Sequence, residues 1–149
     1  MIYIIVFVSI FILQNFVMFI IGCFYNLTYQ LFIVDFWIKN TFLVAIGGYI
    51  ICGIIFYFIN KKFFHMELKF IIMLMLISSM IIIMSLLISL GIIKINFENF
   101  ESFLLHFWVF IFSARYDPMR IIGLGLQSIA GLVLFFPLSF WLSQFLFRK

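Results

Sequence analysis

Near neutral pH the side chains of this chain able to act as bases, nucleophiles or metal ligands are five carboxylates, two histidines and two cysteines. All five acids, Asp35, Glu67, Glu98, Glu101 and Asp117, fall between or at the edges of long apolar runs, and none lies inside one. His106 stands alone beside Trp108 and reads as a bundle or interface residue, because no second histidine or acid has metal-ligand spacing. Cys23 and Cys52 sit within apolar runs and read as small buried hydrophobes. What the runs do contain is hydroxyls and amides, among them Gln14, Asn15, Ser85 and Gln127. Such groups can bond a neighbouring helix, but unaided they are neither acid, base nor metal ligand. The expectation is therefore a chain that is not an enzyme and holds no cofactor and no metal.

The elements that must position these groups follow from composition. The 149 residues are 68% hydrophobic and 9% charged, with a mean hydropathy of +1.36, whereas soluble proteins average about a quarter charged residues. This is the composition of an all-α integral membrane protein, a bundle of four to five transmembrane or re-entrant helices with short loops in one membrane domain, 1–149. The expected helices cover about 2–25, 41–60, 68–93 and 119–147, with 102–114 too short for an ordinary span and read as short or re-entrant. The first run has no basic leader and no small-residue cleavage site, so it reads as a span. Residues 27–39, with Asp35, Trp37 and Lys39, read as an interfacial segment in which Tyr25, Tyr29 and Trp37 form an aromatic belt. The sequon Asn26-Leu27-Thr28 reads as chance so close to a membrane surface.

Small residues mark where helices can approach. Ala45, Gly48 and Cys52 are spaced three and four apart, flanked by Gly47 and Gly53, and predict the most closely packed helix. The runs 41–60 and 68–93, joined by a short basic turn, predict an antiparallel hairpin, with Ser78, Ser85 and Ser89 on the side of the second run that faces the first. In the last run Gly123, Gln127 and Gly131 repeat every four residues as a small and polar packing stripe. Pro137 predicts a kink there, since it removes one backbone bond.

The net charge is +4, but the basic residues Lys61, Lys62, Lys69, Arg115, Arg120, Arg148 and Lys149 all edge apolar runs. That placement indicates topology and lipid headgroups and argues against nucleic acid. Lys61, Lys62 and Lys69, with His65, make the densest basic loop and predict the cytoplasmic or matrix side for it. The side of the C-terminus depends on whether 102–114 crosses, which charge alone leaves open. The abundance of Phe, Ile, Asn and Lys suggests an AT-rich genome, as in some bacteria and organelles.

In Asp35 followed by Thr41 and the small-residue run AIGGYIICG, then the Lys61-Lys62 turn, a long apolar helix, and a last helix carrying Gln127, Pro137 and Arg148-Lys149, the chain resembles MreD from about residue 35 to 149. MreD is the integral membrane protein of the bacterial rod-shape machinery. The resemblance implies a non-enzymatic scaffold subunit for cell shape and wall elongation in the bacterial inner (plasma) membrane, whose partners are other integral membrane proteins and the lipid bilayer. Two other readings stay open on the residues: a small organelle-encoded subunit of a respiratory-chain or ATP synthase complex in the mitochondrial inner membrane, and a small transporter or channel component.

Overall fold

The computed structural model describes residues 1–29, 34–111 and 118–147. In hydrocarbon no water is available to the backbone, so each N–H and C=O must be satisfied within its own segment. A run such as IYIIVFVSIFILQNF, rich in β-branched and aromatic residues that favour strands in water, is thereby driven into helix. The protein is an all-α membrane bundle, and among the described residues four helices are long and apolar enough to cross a membrane.

Helix α1 (Ile2–Tyr29) buries Val6, Ile10, Gln14, Val17 and Ile21 at helical spacing and leaves Val8, Ile12, Phe16 and Ile20 facing out. Helix α2 (Val34–Ile59) begins ahead of Asp35 and Lys39. The expected interfacial segment 27–39 is thus not a separate element: α1 runs through Tyr29 and α2 starts at Val34. The physical reason is that helix satisfies the backbone equally well beyond the hydrocarbon layer, so a polar stretch need not break it. The side chains of Tyr25, Asn26, Tyr29, Asp35, Trp37 and Thr41, on which the belt, the sequon and the resemblance partly rest, lie outside the described residues, as do those of Arg115, Asp117, Arg120, Arg148 and Lys149.

A π-helical turn, Asn60–Phe64, ends α2. His65 then takes a left-handed conformation, φ 53°, which costs an L-residue roughly 1–2 kcal/mol. Buried Asn60 holds the turn by donating from Nδ2 to the Met66 carbonyl and accepting the Met66 N–H at Oδ1, both at 3.1 Å. Helix α3 (Leu68–Ser89) stops four residues short of the expected 93. There Gly91 adopts φ +69°, and the Ile92 N–H reaches back to the Leu87 carbonyl, as in a glycine-terminated helix cap.

Helix α4 (Glu98–Ile111) has 14 residues, about 21 Å of helix, and is not among the four candidate spans. It lies along α3 and α1: the Trp108 indole N–H donates to Ser85 Oγ at 3.1 Å, and the rings of Phe110 and Phe19 lie 5.9 Å apart. The last span is α5 (Pro118–Ala130), a second π-helical turn Gly131–Phe135, and α6 (Phe136–Leu146). Pro137 directly follows that wide turn, in which the Phe136 N–H bonds to the Gly131 carbonyl five residues back.

Two pairs of contacts fix which spans run in the same direction. Tyr3 meets Phe70 and Gln14 meets Ser78, so α1 and α3 are parallel; Gly53 meets Ser139 and Tyr57 meets Phe147, so α2 and α6 are parallel. Phe147 therefore ends beside the basic turn, its carbonyl accepting from Tyr57 Oη and Lys61 Nζ at 3.2 Å each. Four spans with α4 off to one side bring both described chain ends to the face of that turn.

The expected hairpin of α2 with α3 is not the packing unit. α2 packs chiefly on α6 and α1, while α3 packs on α1 and α4. The π-helical turn and the extended Glu67 that follows it carry the chain away from α2 before α3 begins.

Candidate functional site

Two groups of buried polar side chains stand between the spans. Between α1 and α3, Gln14 is 1% exposed and reaches two adjacent serines. Its Nε2 donates to Ser79 Oγ at 3.1 Å, its Oε1 accepts from Ser78 Oγ, and Ser79 passes its own hydrogen to the Met75 carbonyl at 2.8 Å. Both ends of the amide are used. Interhelical bonds of this kind average about 0.6 kcal/mol in membranes.

Between α2 and the last span the opposite holds. Tyr49 is fully buried and its hydroxyl neighbours that of Ser128, also fully buried. The two hydroxyls face each other without a hydrogen bond of good geometry, and Gln127 Oε1 one residue earlier has none either. The Tyr49 ring lies against Gly131, where the π-helical turn begins, so closely that a Cβ at Gly131 would fall on it.

The expected packing residues fall against several different neighbours. Ala45 and Cys52 are buried, and a Cβ at Gly48 would stand 3.3 Å from Val17 of α1. The tightest approach on α2, however, is at Gly53, where a Cβ would collide with Ser139 Oγ and with backbone atoms of Phe136 and Phe140. Ser78, Ser85 and Ser89 do not face α2: Ser78 bonds Gln14 of α1, Ser85 accepts from Trp108 of α4, and Ser89 bonds back to the Leu86 carbonyl at 2.7 Å. Of the stripe on the last span, Gly131 is packed, whereas Gly123 is exposed and its Cβ would enter open space. Gly125, against Leu86, takes the role expected of Gly123. The four-residue repeat picked the wrong face at that end; the buried positions Ile121, Leu124, Gly125, Ser128 and Leu132 follow the three-and-four spacing of a core face instead.

Ser79 and Tyr49 do not stand out in the sequence. Ser79 has a signal, since its neighbour Ser78 lies on a helix with Gln14-Asn15 as the obvious amide partners elsewhere; Tyr49 has none, being one more aromatic residue in an aromatic-rich run. Lys61, Lys62 and Lys69 are exposed at the basic turn, where Lys62 Nζ lies 5.2 Å from the centre of the Phe63 ring. Lys69 pairs with Glu67 at 3.0 Å, both largely exposed, a contact worth at most about 1 kcal/mol. His106 is exposed on α4, with Nδ1 2.6 Å from the Ser102 carbonyl. Among the described residues no three His, Cys, Asp or Glu side chains lie together as a metal set would.

Comparison with protein families, with characterised proteins and with solved structures gives no match.

Proposed function

We propose that this integral membrane protein is a non-enzymatic scaffold subunit of a multiprotein complex in an inner membrane, of the kind its resemblance to MreD implies for bacterial wall elongation. The observation that carries this reading is the surface of α4. This helix is braced by the Trp108–Ser85 bond and turns Phe100, Phe103 and Phe110 outward, with Phe97 just before it, at 48, 63, 67 and 72% exposure. A short helix that does not cross, held rigidly and edged with aromatic residues, suits a docking surface for other membrane proteins, whose interfaces favour aromatic anchors. The Gln14–Ser78–Ser79 bonds join α1 to α3, the two helices on which α4 packs, and supply the stiff frame such a surface needs.

Charge supports an orientation. By the helix ends they flank in the sequence, five basic residues, Lys61, Lys62, Lys69, Arg148 and Lys149, belong to one end and four, Lys39, Lys94, Arg115 and Arg120, to the other, and the densest loop, 61–69, is at the first. The positive-inside rule then assigns the first end to the cytoplasm, or to the matrix in an organelle.

The deciding experiment is affinity purification of the tagged chain from its own membranes, with wild type beside the triple variant Phe100→Ala, Phe103→Ala, Phe110→Ala. Scaffolding predicts that other integral membrane proteins co-purify with wild type and are depleted at least several-fold by the variant, while the variant still inserts. Purification of the chain alone, together with ion or solute flux in liposomes that contain only this protein, would overturn the scaffold in favour of a transporter. Lys62→Cys should resist a membrane-impermeant thiol reagent in intact cells, and ready labelling would reverse the orientation.

A further inference from the structure

The two spans on either side of the basic turn, Leu43–Phe64 and Leu68–Ser89, are separated by His65, Met66 and Glu67 alone. So short a connection cannot lift the turn clear of the membrane, and its lysines therefore stand at the depth of the lipid headgroups. The turn is also built rigidly. Buried Asn60 is bonded to both backbone polar groups of Met66, and His65 holds a left-handed conformation of the kind that persists only where its surroundings impose it and that clusters at functional sites. Each lysine of the turn lies against an aromatic ring: Lys61 Nζ is 5.9 Å from the centre of the Tyr57 ring, Lys62 Nζ 5.2 Å from that of Phe63 and Lys69 Nζ 4.9 Å from that of Phe70. Glu67 pairs with Lys69 and offsets its charge. Among the described residues no acid pairs with Lys61 or Lys62. Lys61 gives one hydrogen to the Phe147 carbonyl, and an ammonium has three.

The end of the last span adds to this charge. Phe147 is held at the turn by Tyr57 and Lys61, and Arg148 and Lys149 follow it directly, so covalent geometry alone keeps their backbone within about 7 Å of Phe147. Two basic segments far apart in sequence are thus brought to one corner of the bundle. We propose that this corner binds an anionic phospholipid, its phosphate oxygens accepting from Lys61 and Lys62, whose Cα atoms are about 3.8 Å apart, and an acyl chain lying against Phe63, which is 63% exposed. The ring beside Lys62 is what selects a lipid over a soluble anion, because a phosphate without a chain leaves that apolar surface uncovered. A zwitterionic phospholipid brings its own ammonium, which the lysines repel, so the preference rests on the net charge of the headgroup. The site lies apart from the outward face of α4 and does not depend on a scaffold role.

The test is photo-crosslinking of the full-length chain in phosphatidylcholine nanodiscs that carry a trace of diazirine-bearing phosphatidylglycerol or, in a parallel sample, of diazirine-bearing phosphatidylcholine. The proposal expects phosphatidylglycerol to be captured at 57–70 and 136–147 at least about fivefold more than phosphatidylcholine, the gain expected from one lysine at an anionic headgroup. Lys61→Gln combined with Lys62→Gln should bring that ratio close to one. Lys94→Gln, which removes an exposed lysine from the other end, should leave it unchanged. Asn60→Ala keeps every charge and releases only the turn, so it should lower the ratio several-fold; an unchanged ratio would show that charge without this architecture suffices and would overturn the site. Should Asn60→Ala fail to insert, the paired lysine variant against Lys94→Gln decides whether the turn holds the lipid. Excess glycerol phosphate should not compete, and competition by it would assign a soluble phosphate and overturn the lipid. Equal capture of the two lipids by wild type, crosslinks mapping elsewhere, or equal losses in the turn and Lys94 variants would also overturn the proposal.

Discussion

Gln14 of α1 and Tyr49 of α2 are both buried polar side chains in the middle of apolar helices, at 1 and 0% exposure, yet one is fully bonded and the other is not. Gln14 spends its donor and acceptor on Ser79 and Ser78 of a regular α3. Tyr49 faces Ser128 and the first residue of a π-helical turn, and the two hydroxyls make no hydrogen bond of good geometry. The difference shows where this bundle is stiff. On the α1–α3 side both polar partners sit on unbroken helix, so their positions are set and the bonds close. On the α2 side Pro137 removes a backbone donor, the turn before it widens, and the hydroxyls are set by ring packing on Gly131 and not by each other. Unsatisfied buried groups and π-helical turns both concentrate where structures move or act. The α1–α3 pair is accordingly the frame, and the seam between Tyr49 and the π-helical turn is where rearrangement costs least.

The largest effect is expected from wedging α2 off α6. A Cβ at Gly53 meets backbone of α6, which cannot rotate out of the way, whereas one at Gly123 meets nothing. Gly53→Leu should therefore lose about 3 kcal/mol or more, the upper end of overpacking costs, and Gly123→Leu should be close to wild type. Reversible unfolding in mixed micelles measures both. Equal effects would mean that α2 and α6 do not touch as described.

Next in size is the frame itself. Gln14→Leu strips Ser78 of its acceptor and Ser79 of one donor in a place water does not reach. A loss of about 1–2 kcal/mol is expected in the same unfolding assay. Ser79→Ala should lose less, because Ser79 also serves its own helix through the Met75 carbonyl. A Gln14→Leu protein as stable as wild type would show that the clamp contributes nothing and would erase the contrast. Smaller again is Trp108→Phe, which removes the single bond from α4 to Ser85 and should lower stability by about 0.6 kcal/mol. Faster proteolysis within α4 would report the loosening.

The sequence made the four spans legible because hydropathy over a bilayer's thickness is a property of composition alone: 2–25, 68–93 and 119–147 each contain one of the candidate spans, and 41–60 covers all but the last turn of the fourth, Leu43–Phe64. It did not make the helix ends legible: polar Asn26–Tyr29 stays in helix with the run before it, and Gly91 rather than the last apolar residue ends α3. Partner choice was half legible. Small residues on α2 announced close packing, but Gly48 and Gly53 look alike in one dimension, and only the approach of α6 makes Gly53 the tighter. Chain order suggested that α2 and α3 pair, whereas the π-helical turn, which leaves no mark in the residue pattern, sends them to different neighbours. The unbonded Tyr49 was invisible for a related reason. Whether a tyrosine hydroxyl is satisfied depends on a residue far along the chain and on the register that Pro137 shifts.

The smallest stability effect is expected at Tyr49. Tyr49→Phe keeps the ring against Gly131 and deletes only a hydroxyl that makes no hydrogen bond of good geometry. Removing such a group forfeits no bond and relieves its desolvation, so stability should change by less than about 0.5 kcal/mol or rise slightly. Set beside Gln14→Leu, this contrasts a clear loss with little or none for two buried polar groups of one bundle. The functional readout separates two meanings of that result. If the seam is only imperfect packing, Tyr49→Phe should co-purify partners at wild-type levels, as the scaffold reading expects. If the hydroxyl acts when the π-helical turn shifts, the variant should insert, match wild type in unfolding, and still lose function with the complex intact. That combination would move the centre of this protein from the α4 surface to the α2 seam and would count against a purely architectural role.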